Sequence, residues 1–249
     1  IVKVAVSFGV RSVKFSGGEP LLRRDFPDII SDLPPLKEVS ATTNGVFLER
    51  YAGDLADAGL NRVNVSLDSL KEEKYRFITG AREKILSKVI DGIHSAIDAG
   101  LTPVKLNMVL LRGINEDEIP DMIDFVRGKN LILQLIELMD FGGSGYHLDL
   151  SEIEKDLASR ATSIRCRKMH RRKKYLVDGA EVEIVRPIDN SEFCANCTRL
   201  RVTSDGKLKT CLLRNNDLIE INDLSEEEMR EAYKLAVMKR KPFYKKGRT

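Results

Sequence analysis

The sequence has no tryptophan, three histidines and four cysteines in 249 residues, and aromatic residues make up only 6% of it. So few flat rings argue against a protein that holds single-stranded nucleic acid by stacking bases on aromatic platforms. Four cysteines in a chain this long do not make the dense disulfide framework of a small secreted domain, so metal or cluster ligation is the better starting point for the thiols. No apolar run approaches the roughly 18 residues of a membrane-spanning helix. The expectation is a cytoplasmic protein. The sequence opens on Ile1 in the middle of an amphipathic pattern, and further residues are expected ahead of it.

What is present describes a folded chain, with 42% hydrophobic and 32% charged residues. The length suits one large domain or a core plus a smaller module. Net charge is only +3, but it is unevenly placed. "RCRKMHRRKK" (165–174) carries seven Lys/Arg in ten positions, and "KRKPFYKKGR" (239–248) is similarly dense. Such runs can hold phosphates or nucleic acid, although a solvated basic surface is the simpler reading of either alone.

Three stretches align without gaps: "FGVRSVKFS" (8–16), "AGLNRVNVS" (58–66) and "AGLTPVKLN" (99–107). Each follows an amphipathic segment; before the third, Ile85, Val89, Ile93 and Ile97 recur at the helical period. Gly9, Gly59 and Gly100 then fall where a helix ends in a left-handed residue. Helix, glycine, strand, repeated, predicts parallel strands joined by crossover helices.

The strands alternate. Val13 and Phe15 oppose Lys14 and Ser16, and Val39, Ala41 and Thr43 oppose Ser40, Thr42 and Asn44. Val63 and Val65 oppose Asn64 and Ser66, and Val104 and Leu106 oppose Lys105 and Asn107. Parallel strands buried on both faces read as continuous apolar runs. One polar face on four strands therefore predicts an open (β/α) barrel whose interior holds a ligand, because buried lysines need anions. "LILQLIEL" (131–138) reads as a further strand ending near Met139, after a helix over 116–127. The rhythm breaks at 140–150, and a barrel core over 1–140 gives way to a smaller region over 141–249. A short helix over 151–159 and a last helix capped by Ser225 and Glu228 are expected in the second region.

Two motifs carry chemistry. "SGGEP" (16–20) follows the first full strand at its carboxyl end, where ligands bind in such folds. Its glycines allow close backbone approach, and Glu19 could accept from an ammonium or a ribose. "FCANCTRLRVTSDGKLKTC" (193–211) spaces Cys194, Cys197 and Cys211 as C-x2-C-x13-C. Zinc would need a fourth ligand, which Cys166 or His170 could supply. A cluster held by three thiolates keeps one iron open for a substrate atom. Arg199 and Arg201, two apart, would share a face of a strand and could grip a phosphate together. No histidine is assigned a catalytic role, and Cys166 is most simply an unligated thiol.

Taken together, "VKFSGGEPLLRRD", "TTNG", "NVSLDSL", "ITG", "KLNMVLLRGINEDEI", "LQLIELMD" and the cysteine stretch resemble the GTP 3′,8-cyclase family. These are radical S-adenosylmethionine (SAM) enzymes of molybdenum cofactor biosynthesis. The resemblance implies an α/β fold, a partial (β/α)6 radical SAM barrel with a smaller α+β C-terminal cluster-binding region. It implies two [4Fe–4S] clusters and S-adenosylmethionine, with Cys194, Cys197 and Cys211 holding the second cluster. Gly18, Glu19, Ser66 and Met139 correspond to SAM contacts. Lys14, Thr42, Lys105, Arg199, Leu200 and Arg201 correspond to GTP contacts. The product would be 3′,8-cyclo-7,8-dihydro-GTP, passed to cyclic pyranopterin monophosphate synthase, by an enzyme that is commonly a homodimer.

Three departures from the family stand out. Its C-x3-C-x2-C motif for the first cluster, and an N-terminal arginine that helps hold GTP, do not occur between Ile1 and Thr249 and are expected upstream. The Gly-Gly in which the family often ends does not occur here, where the last residues read "KKGRT". Position 14, often arginine in relatives, is lysine, which keeps the charge and loses the bidentate geometry. Two rival readings remain: a peptide-modifying radical SAM maturase with an auxiliary cluster, and a zinc- or cluster-stabilised nucleic-acid binder.

Overall fold

The structure, a computed structural model, describes residues 1–188 and 190–241. Most of the second basic run and the end of the chain therefore lie outside the described residues. The chain begins with helix α1 (Val2–Ser7), strand β1 (Ser12–Phe15), α2 (Phe26–Ser31), β2 (Glu38–Thr43), α3 (Leu48–Asp57) and β3 (Arg62–Ser66). There follow α4 (Glu72–Thr79), α5 (Leu86–Asp98), β4 (Val104–Leu110), α6 (Ile119–Val126) and β5 (Leu131–Glu137). Next come α7 (Ser151–Arg160), the strands β6 (Ser163–Cys166), β7 (Lys173–Val177) and β8 (Ala180–Val185), and α8 (Ser191–Ala195). The short strands β9 (Arg201–Val202), β10 (Lys207–Lys209) and β11 (Ile219–Glu220) precede the last described helix, α9 (Glu226–Met238).

The repeat read from sequence is a repeat of structure. Gly9, Gly59 and Gly100 have φ of 86°, 100° and 78°. At each, the glycine N–H and the next residue's N–H return to the helix, as in Gly59 to Ala56 and Leu60 to Leu55. That double return is the Schellman ending, and it turns the chain straight into the following strand. Leu60 and Leu101, just past the glycines, are buried and seal the ends of α3 and α5.

β1 to β8 form one sheet in the order β1-β2-β3-β4-β5-β8-β7-β6, and β9, β10 and β11 form a second in the order β11-β10-β9. β1 through β5 pair in parallel, and β8 joins β5 in parallel as the sixth such strand. β7 and β6 then add antiparallel. The sheet has two ends and does not close, so this is a partial barrel. The helices cover the apolar face: Val63, Val65, Val104, Leu106, Leu133 and Leu135 pack with Leu48, Leu55, Val89 and Ile93 in one core. Truncating a fully buried member such as Ile93 removes transfer energy and leaves a cavity, on the order of 2–5 kcal/mol. α3 and α5 approach closely at Gly92, where an added Cβ would lie 2.6 Å from the Gly45 carbonyl oxygen.

A second, smaller core joins the ends of the chain. Val4 and Ala5 of α1 pack with Leu208, Ile221, Met229, Ala232 and Tyr233. Ser225 and Glu228 form the expected capping box at the start of α9. Among the described residues, no helix is long and apolar enough to cross a membrane.

Candidate active site

The polar strand face is real, and the register of the sheet organises it in rows. Lys14, Ser40 and Arg62 are partners across β1, β2 and β3. Thr42, Asn64 and Lys105 are partners across β2, β3 and β4. The third row is longer: Ser66, Asn107, Gln134, Glu183, Lys174 and Arg165 run across six strands from β3 to β6. Every side chain in that row is polar.

At the carboxyl edge of the sheet, the "SGGEP" turn is tied to the next strand. The Glu19 carboxylate accepts from the Thr43 hydroxyl at 2.7 Å, the Asn44 N–H at 2.6 Å and the Leu21 N–H at 3.0 Å. Glu19 therefore fixes the turn, while Gly18 faces open space. Ser66 ends β3, and Met139 follows the end of β5. Gly18, Ser66 and Met139 thus follow or close β1, β3 and β5 along one edge of the sheet.

The interior is strongly cationic. Lys14, Arg62, Lys105, Arg167, Arg172, Arg199 and Arg201 act electrostatically on one another, and the carboxylates that oppose them among the described residues include Glu38 and Glu183. Lys14 meets solvent at the mouth, yet the surrounding protein desolvates its ammonium. Desolvation, together with Arg62, Arg199 and Lys105, pushes its pKa down to about 7. Burial lowers Lys105 to about 8 even though its ammonium lies 2.7 Å from Glu183. Arg199, in the cysteine segment, reaches Lys14 on β1 electrostatically, so residues far apart in sequence share one site. The strand begins only at Arg201. Arg199 therefore precedes it in irregular backbone, and the shared strand face expected for the pair does not form; the two still interact.

Several buried polar atoms here have no partner. They are Arg62 Nη1, Arg172 Nε, Arg201 Nη1, Asn64 Oδ1, Asn107 Oδ1, Thr210 Oγ1 and both ring nitrogens of His170. Buried polar groups are ordinarily paired, so the unpaired arginine donors among excess cations point to an anionic group of a ligand, while the asparagine oxygens call for a ligand that also donates.

Cys194, Cys197 and Cys211 are free and half-buried, whereas Cys166 is free and exposed. Among the described residues, no three His, Cys, Asp or Glu side chains converge as a single metal ion would require. A cubane cluster is less demanding on this point, because each of its three thiolates sits on a different iron. The donor chemistry, three unpaired thiols beside the orphaned Thr210 hydroxyl and the Arg201 guanidinium, fits such a cluster. Arg240 braces this loop from the end of α9 through the Cys197 carbonyl. His170 stacks on Phe193 at 3.8 Å between ring centroids, and burial among cations lowers its pKa to about 3. It is a neutral packing residue at working pH.

Sequence reasoning missed Gln134, Arg167, Arg172 and Glu183. The first basic run is split: Arg165, Lys168, Arg171 and Lys173 face solvent, while Arg167, Arg172 and Lys174 are half-buried. The alternation in "AEVEIV" (180–185) was the available signal for Glu183, since it repeats the pattern of the first four strands.

Two family models match this chain in succession. Residues 1–126 match the Radical SAM superfamily and residues 131–246 match Molybdenum Cofactor Synthesis C. A probable GTP 3′,8-cyclase of Methanosarcina mazei is 61% identical over 98% of this chain and 75% of its own length. One from Methanocella arvoryzae is 54% identical over 98% of this chain and 80% of its own. Among solved structures, Streptococcus suis SuiB aligns with a TM-score of 0.59 at 17% identity, covering 84% of this chain. This chain spans about half of SuiB's length, 52%. Native anSMEcpe with bound AdoMet aligns at 0.57 and 17% identity, over 92% of this chain and 69% of its own. At these identities the two structures speak for the fold.

Proposed function

Because this chain belongs to the GTP 3′,8-cyclase family of the radical SAM superfamily, we propose that its cationic interior binds GTP for conversion to 3′,8-cyclo-7,8-dihydro-GTP in molybdenum cofactor biosynthesis. The observation that carries this reading is the meeting of the polar strand face with the arginines of the cysteine segment, around buried polar atoms that lack partners. An iron–sulfur cluster and S-adenosylmethionine, given an electron by a reductant, would supply the radical chemistry that takes the ribose C3′ hydrogen and joins C3′ to guanine C8, with a further electron and a proton completing the dihydro product.

The residues of this chain position and neutralise. Lys14, Lys105, Arg199 and Arg201 take the triphosphate charge, and Arg201 offers a buried N–H that has no other acceptor. Thr42 and Leu200 shape the same site. Gly18, Ser66 and Met139 line the carboxyl edge for S-adenosylmethionine, and Glu19 holds the turn that presents Gly18. Cys194, Cys197 and Cys211 would hold a second [4Fe–4S] cluster, and an iron left without a thiolate could take a substrate atom. The division of work falls near residue 140, between a barrel part over 1–140 and a cluster part over 141–249. Closure of the partial barrel around substrate would keep water away from the reacting carbon. The enzyme works in the cytoplasm as a homodimer and hands its product to cyclic pyranopterin monophosphate synthase.

Calorimetric titration of the cluster-reconstituted enzyme with GTP tests the reading. Saturable binding of GTP, displaced by inorganic triphosphate and indifferent to peptide, is expected. Binding of random RNA that GTP does not displace would favour a nucleic-acid binder instead.

A further inference from the structure

One carboxylate is central to the cationic interior, and nothing in the resemblance assigns it a role. Glu183 lies on β8 and is fully buried. It accepts from Lys105 Nζ at 2.7 Å, from Gln134 Nε2 at 2.5 Å and from Arg167 Nη1 at 3.2 Å. Arg172 Nη1 stands at 3.4 Å and Lys174 Nζ at 3.6 Å. Gln134 in turn accepts from Asn64 Nδ2 at 3.4 Å, so the network reaches back to β3. Four cations from three separate parts of the chain, namely β4, the β6–β7 connection and β7, are thus gathered on one anion.

An anion within an anion-binding site is at first sight misplaced, since it repels the ligand. Its justification lies in Lys105. That side chain is 6% exposed, and its one ion-pair partner among the described residues is Glu183. Its other charged neighbours, Arg167, Arg172 and Lys14, are all cations. A buried lysine without a counter-charge sheds its proton and stops being a cation. Burial already brings Lys105 down to about 8 with Glu183 in place. For Glu183 itself, burial would raise the pKa, but Lys105, Arg172 and Arg167 outweigh burial and hold it at about 2.

We propose that Glu183 is a positioning residue for substrate binding: it keeps Lys105 charged and holds Lys105, Arg167 and Arg172 as a preformed cationic wall against the triphosphate. This rests on the assignment of GTP to the interior. Glu183 touches no reacting atom; it acts through the cations it gathers. Arg167 and Arg172, from the basic run that sequence alone gave to the surface, become part of the wall by the same contacts.

The sign of one substitution separates this role from plain repulsion. If Glu183 only opposed the ligand, Glu183→Gln would tighten GTP binding. On our account it weakens binding by about tenfold or more at pH 7.5, because Lys105 becomes neutral. Lowering the pH to 6 then recovers much of the loss in the variant, while wild type changes less. Calorimetry with GTP on the cluster-reconstituted enzyme reads both effects, and circular dichroism checks the fold. In a Lys105→Met background, the same Glu183→Gln change should cost about threefold, since the lysine charge it protects is gone and only its hold on Arg167 and Arg172 is lost. The double variant also removes both members of the buried pair, which proteins tolerate better than loss of one. If Glu183→Gln alone does not fold, Glu183→Asp retains the charge but withdraws it by one methylene, and the loss should keep its direction at smaller size. Unchanged or tighter binding in a folded Glu183 variant, or a full loss persisting in the Lys105→Met background, would overturn the inference. Failure of the wild-type enzyme to bind GTP would instead overturn the assignment on which it rests.

Discussion

The two walls of the site are built by different means. The barrel wall is a continuous ladder of parallel strands, backed by one large apolar core. Its strand side chains are placed by register, and Glu183 ties several of them together. The cysteine wall is irregular. Its strands β9, β10 and β11 have two or three residues, and its core is the small cluster between α1, β10 and α9. Its thiols are free and do not gather at one point unaided. The barrel wall is therefore preformed, whereas the cysteine wall depends on what it binds, because a bound cluster contributes folding energy to the segment that supplies its ligands.

The largest effect should come from breaking the dependent wall. Replacing Cys194, Cys197 or Cys211 by serine should remove about four irons per chain, and the arginines beside them should then lose their placement. Iron and sulfide analysis reads the first effect and GTP titration the second. Cys166→Ser, at an exposed thiol away from this set, should leave the iron content unchanged.

Next come the arginines that the cysteine wall contributes. Arg201→Ala should weaken GTP binding by about 1.5–3 kcal/mol, the range for hydrogen bonds to charged groups. Arg199→Ala should act in the same direction. Unchanged affinity in both variants would place the triphosphate elsewhere.

The barrel wall is sharpened by pH. Lys14 has its pKa lowered to about 7, so above pH 7 the free enzyme loses that cation. Bound triphosphate favours the charged form, so binding takes up a proton and affinity falls as pH rises, by up to about tenfold per unit. Arginine stays charged throughout this range. Lys14→Arg should therefore abolish this step, and the difference between the two proteins cancels the titration of GTP itself. His170, lowered to about 3, should contribute nothing between pH 6 and pH 9 in the same titrations.

The smallest effect should fall on the small core. Ser225→Ala removes the α9 capping box and should cost about 1 kcal/mol. Differential scanning calorimetry should show the loss, with the barrel's contribution unmoved.

The same contrast explains what could be read from sequence. Strand residues such as Val63, Asn64 and Val65 declare their faces by alternation, and Gly59 and Gly100 declare the helix ends by the left-handed turn they allow. Short-range rules govern both, so the first five strands and their polar face were legible. Glu183 and its cations were not, because they meet only through register across β4, β5, β8 and β7, far apart in sequence. The basic run looked like surface because nothing local shows that Arg167 and Arg172 turn inward while Lys168 and Arg171 do not. The cysteine spacing was visible at once, but the strand expected under Arg199 was not formed, since a ligand-dependent segment has little local pattern of its own.

The most direct test of the whole account follows the hydrogen that the interior must present. The full-length protein, reconstituted with both clusters, is given S-adenosylmethionine, a reductant and GTP deuterated at the ribose C3′, and the 5′-deoxyadenosine formed is examined by mass spectrometry. The account predicts deuterium in 5′-deoxyadenosine together with consumption of GTP. Unlabelled 5′-deoxyadenosine with GTP left intact would contradict it.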